Sequence, residues 1–103
     1  MESKMGFVKI TPKTMIVQME EIPSTYIGEE IAFMNTEKSK YYGLDSVGTS
    51  IWKAIEEAKT VDGIVEELLM EYDVERKTCV ENVLEFLQEL YKEGLVRIVP
   101  ETE

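Results

Sequence analysis

The chain changes its hydrophobic period once, near residue 45, and that change dictates its architecture. Before it, apolar and polar residues alternate over short runs rich in β-branched and aromatic side chains; after it, Leu, Ile and Val recur at helical spacing among Glu and Ala. A period of two sends side chains to both faces of a strand, and a period near 3.6 lines them along one side of a helix. The layout is therefore α+β, strands first and helices second. Its 103 residues, 44% of them hydrophobic, suffice for one domain spanning 1–103 and for a core that needs no staples.

Three strands are expected. TMIVQM, residues 14–19, mixes apolar and polar positions at strand length and is bounded upstream by Pro12. EIAFMN, residues 30–35, and SKYYGL, residues 39–44, are separated by Thr36, Glu37 and Lys38, which suits a hairpin turn. Between the first two, residues 20–30 hold Pro23, Ser24 and Gly28 and read as a loop. Tyr41 and Tyr42 are adjacent, so a regular strand turns one inward and the other to solvent or a groove. Tyr42, in phase with Leu44, is the inward one, and Trp52 reads as a core anchor.

Three helices follow. Asp45 or Ser46 caps one that runs to about Ala58 with a stripe of Val47, Ile51, Trp52 and Ile55. Thr60 opens the second, and the third spans about Glu75 to Glu93, with Gly94 placed to end it in a left-handed conformation. Residues 95–99 form a short extended tail.

The third helix carries more apolar surface than one packing face needs. Taking Val80 as zero and about 100° per residue, Leu84, Leu87 and Tyr91 fall within about 40° of it and form the expected core stripe. Cys79, Val83, Phe86 and Leu90 form a second stripe at roughly 240–300°. Two readings of that stripe stay open: the domain wraps the helix on two sides, or part of the stripe lines a groove beside an exposed strand edge. Strand edges carry unpaired N–H and C=O groups to which an extended peptide can add. The strand with Lys40, Tyr41 and Tyr42 would form one wall of such a groove. The Cys79–Val83–Phe86–Leu90 stripe, with Arg76 and Val80 at its start, would form the other.

The counts exclude several classes. With no histidine, one cysteine, no phosphate-cradling glycine loop and no ligand cluster, the chain lacks the equipment for triad hydrolysis, zinc binding or another recognisable catalytic site, and no cofactor is expected. Cys79, without a histidine to activate it, reads as a small hydrophobe. No run approaches the roughly 18 apolar residues of a membrane span. A cytoplasmic protein is expected. Against a DNA-binding regulator stands the net charge of -10, from 21 carboxylates and 11 cations, with Glu75, Glu81, Glu85, Glu89 and Glu93 on the third helix.

The segments NTEKSKYYGLDSVGTSIWKAI, TVDGIVEELLMEYDV and VLEFLQELYKEGLV resemble the PqqD-like family of leader-peptide recognition domains. The likeness rests on Tyr41, Tyr42, Leu44 and Asp45, then Gly48, Ile51 and Trp52, Thr60 and Val61, Tyr72 and Asp73, and the Leu90–Gly94–Leu95 ending, and covers residues 14–98. The resemblance implies a winged-helix-like domain of three antiparallel strands and three helices. It implies a non-catalytic adaptor that binds the leader of a ribosomally made precursor as a fourth strand along residues 39–44, against helix 75–93, and presents it to a maturation enzyme. The stand-alone recognition subunit of split lasso-peptide B proteins is the favoured subgroup, with a transglutaminase-like leader peptidase as partner in antibiotic biosynthesis. A PqqD-type chaperone serving a radical enzyme is the alternative. In that setting Glu75 and Glu93 are expected to steer a basic leader.

Overall fold

A computed structural model describes residues 9–20, 22, 24–35 and 40–100. In chain order the elements are β1 (Met15–Gln18), β2 (Ser24–Ile27), β3 (Glu30–Asn35), β4 (Lys40–Gly43), α1 (Ser46–Ala54), β5 (Lys59–Thr60), α2 (Val61–Glu71), α3 (Arg76–Lys92) and β6 (Val96–Val99). The class is α+β, as expected, but the strands form two antiparallel sheets, ordered β5-β1-β6 and β2-β3-β4. The winged-helix likeness is accordingly loose.

Two expectations about the strands change. The first strand does not join the hairpin: it pairs with β6, Met15 opposite Val99 and Gln18 opposite Val96, and with β5, Met15 opposite Thr60. That pairing buries Ile16 completely and uses the extended tail as its ladder partner. The segment 20–30 is not a loop throughout, because Ser24–Ile27 pairs with β3, from Ser24 opposite Phe33 to Ile27 opposite Glu30. Gly28 makes this possible, since its φ of 67° suits a two-residue hairpin turn that most side chains would strain. The turn expected at Thr36, Glu37 and Lys38 lies outside the described residues.

The helices start where their caps say. Asp45 Oδ1 accepts the Gly48 N–H at 2.8 Å, and Thr60 Oγ1 accepts the Gly63 N–H at 3.1 Å. α1 stops at Ala54, short of the expected Ala58, because β1 takes its last carbonyls. Gln18 N–H donates to Ile55 O at 3.0 Å, and its side-chain amide donates to Trp52 O at 2.7 Å. α3 ends in a Schellman motif: Gly94, φ 78°, donates to Tyr91 O, and Leu95 donates to Leu90 O.

Phe33 forms the centre of the sheet-helix core, stacked at 4.8 Å between centroids on Trp52 of α1 and 6.1 Å from Tyr42 of β4. Thr49 of α1 is a buried polar residue among these apolar neighbours. Its hydroxyl accepts the Ile31 N–H at 3.1 Å and donates to Leu44 O at 3.4 Å, while Leu44 N–H donates directly to Ile31 O at 2.9 Å. The hydroxyl thus completes a ladder rung where β4 turns away into the helix. Thr49→Val keeps the shape but orphans the buried Ile31 N–H, and should lower unfolding free energy in denaturant titrations by about 1–3 kcal/mol. Thr49→Ser, which keeps the hydroxyl, should cost less.

Candidate functional site

β4 is a terminal strand, and no strand among the described residues pairs with its outer edge. Tyr42 lies opposite the buried Phe33 and shares its inward face. Tyr41, opposite Met34, points outward and is 66% exposed. Because Leu44 N–H is bonded to Ile31, the two-residue alternation of an antiparallel pair directs the main-chain groups of Tyr41 and Gly43 to the free edge. A short row of donors and acceptors with no strand partner among the described residues therefore runs along β4.

The inward face of β4 meets α3 through Tyr42. The Glu93 carboxylate beside its hydroxyl, then burial, then the charges of Glu93 and Glu89 push its pKa up from 10.0 to about 12. Glu93, expected to face a basic ligand, is half-buried and engaged in this contact. Further along α3, Phe86 rests against the first turn of α1. A Cβ on Gly48 would sit 3.3 Å from the Phe86 ring edge, so the glycine lets helix and ring approach.

Beside Phe86 opens a cavity of about 530 Å³ between the start of α1, the end of α2 and α3. Val47, Ile51, Leu68, Val74, Cys79 and Phe86 supply its apolar wall. Asp45, Asp73 and Asn82 also border it. The end of β4 leads into this recess through Leu44 and Asp45. The candidate site is thus a strand edge with an apolar pocket near its C-terminal end.

α3 borders the recess, but its line of deepest burial is rotated from the expected stripes. Cys79, Val83, Leu87 and Leu90 are the buried positions, whereas Val80, Leu84 and Tyr91, expected in the core, are half-buried. Both α2 and the sheet press on α3, and the line of deepest burial falls between the two expected stripes. Of the expected groove residues, Phe86 is half-buried at the groove, and Cys79 and Val83 form the cavity floor from within the core. Leu90 is core. Arg76 is paired with Glu66 of α2, and with Glu75 and Val80 it borders a separate shallow depression. Lys40 belongs to β4 by its backbone, and its side chain lies outside the described residues. The α1 and α2 share of the recess was missed, although the Val47–Ile51 spacing already placed those two side chains on one face.

The chemistry is that of a binding surface. Burial raises the Cys79 thiol, a shift that the nearby Arg76 only partly opposes, so it stays protonated at neutral pH. Among the described residues no cluster of acidic or cysteine side chains could hold a metal ion, and no helix is long and apolar enough to cross a membrane. The exposed side of α3 presents Glu81, Glu85 and Glu89, which would repel phosphate.

Comparison with known proteins gives two findings. The family described as "Coenzyme PQQ synthesis protein D (PqqD)" matches residues 30–96. The solved structure "TbiB1 in Complex with the TbiA(beta) Leader Peptide" is similar at a TM-score of 0.72 and 29% identity, over 82% of this chain and 99% of that one. Among curated proteins none matches.

Tyr42 offers a direct check on the β4–α3 contact. Its raised pKa favours the neutral phenol in the folded chain, so the stability it contributes is complete below pH 10.0 and is lost as pH rises through about 12. Ultraviolet titration should show one tyrosine ionising late, and Glu93→Gln should bring it back toward 10.0.

Proposed function

The chain belongs to the PqqD family, and on that premise we propose that it is a non-catalytic adaptor that captures the leader of a ribosomally made precursor peptide. The leader adds as a further strand to β4, inserts an apolar side chain beside Phe86, and is presented to a maturation enzyme. The observation that carries this reading is the edge of β4, with which no described strand pairs, running into an apolar recess against α3. Main-chain pairing along such an edge supplies affinity, and the recess supplies selectivity. The similar structure is of a protein in complex with a leader peptide, which supports a leader-binding role here.

The setting we assign is lasso-peptide biosynthesis in the cytoplasm, with the leader peptidase as the enzyme that receives the loaded precursor. Residues 1–103 serve as one recognition domain. Glu75, exposed at the start of α3, remains available to steer a basic leader, while Glu93 is half-buried beside the Tyr42 hydroxyl.

Two measurements test the reading with a synthetic leader. Amide hydrogen exchange at Tyr41 and Gly43 should slow on leader addition, and exchange unchanged at both would defeat strand addition. Phe86→Asp should weaken leader binding in calorimetry roughly 30-fold or more, as for a central anchor worth about 2 kcal/mol, with the fold retained. Val83 is an unsuitable probe, because at 1% exposure an aspartate there would break the core itself.

A further inference from the structure

An adaptor that holds a leader while an enzyme works on the precursor needs a second surface that the leader does not cover. α3 provides one. Phe86, against Gly48 of α1, and Glu93, beside Tyr42 of β4, lie at about 220–240° from Val80, whereas Leu84 and Tyr91 lie at about 20–40°, on another flank of the same helix. That flank walls a groove of about 900 Å³, closed on its other sides by Ile10, Met19 and Val96. The Ile10 N–H donates to Gln88 Oε1 at 3.1 Å, which pins the early chain across α3 and fixes the groove's width.

The rim of this groove departs from the charge of the chain as a whole. Lys9, Lys92 and Arg97 stand against Glu85 and Glu89, three cations to two carboxylates, where the whole chain has 11 to 21. All three cations are exposed, and none is paired with a carboxylate among the described residues. Cations without a carboxylate partner among the described residues of so acidic a chain, around an apolar floor, suit a segment with apolar side chains flanked by Asp or Glu.

We infer that this groove docks the maturation enzyme, through an acidic, apolar segment of that enzyme, while the leader occupies the β4 side. The inference rests on the leader-recognition reading. With α3 as a common wall, both ligands can be held at once, and the enzyme is brought within reach of the precursor without competing for the strand edge.

The test uses the full chain as Lys92→Glu/Arg97→Glu, with Lys92→Arg/Arg97→Lys as the conservative control; all four changes fall on exposed side chains. Leader affinity and leader-peptidase turnover of the precursor are measured in parallel over a salt series, with sedimentation to report self-association. The charge reversal should leave leader affinity unchanged, slow adaptor-dependent turnover roughly ten-fold and flatten its salt dependence, and the control should process as the parent does. Parent-like turnover by the charge reversal, with leader bound, overturns the groove assignment alone. A change in self-association with turnover intact assigns the groove to a second copy and overturns it too. Failure of the parent chain to bind any leader overturns the recognition reading, and the groove assignment falls with it.

Discussion

The Thr49 hydroxyl is the contact on which the rest of the site depends. At Ile31 and Leu44 the β3–β4 ladder must end so that the chain can enter α1, and an unfinished rung there would leave a buried N–H and C=O unpaired. One threonine on the incoming helix satisfies both. It thereby fixes where β4 stops, which way its last residues face, and how α1 lies over Phe33 and Trp52. A free edge is useful for binding only if its position is set, and here a side chain on the following helix sets it.

α3 is pressed from several directions and uses each one differently. Its innermost line, Val83, Leu87 and Leu90, is core. One flank carries Phe86 to α1 and Glu93 to the Tyr42 of β4, and the other carries Leu84 and Tyr91 to the larger groove. The extra apolar surface visible in the sequence is therefore neither surplus core nor a single binding stripe. It is divided among packing and two open faces.

What the sequence made legible was local. Asp45, Thr60 and Gly94 name the helix ends because capping uses residues three or four apart, and the structure has all three in those roles. What stayed hidden depends on distant partners. Ile16 reads as a strand residue, but nothing near it says that Val96–Val99 rather than the hairpin will be its neighbour. Ser24–Ile27 was masked by the proline and glycine around it, which mark a loop and a hairpin turn equally well. The early end of α1 follows from Gln18, and the pairing of Tyr42 with Glu93 joins residues from opposite halves of the chain. The rotation of α3 follows from the summed pressure of α2 and the sheet, which periodicity within one helix does not encode.

The unguarded edge of β4 also has a cost when nothing is bound. A short strand with open main-chain groups and an outward tyrosine is a template for any extended chain, including another molecule of the same protein, and among the described residues no strand covers it. Local protection would also block a ligand. A net charge of -10 acts from further away: it holds like molecules apart before their edges can meet, yet does not repel a chain of opposite or neutral charge. The acidity of this protein thus works as colloidal insurance for a surface that has to stay sticky.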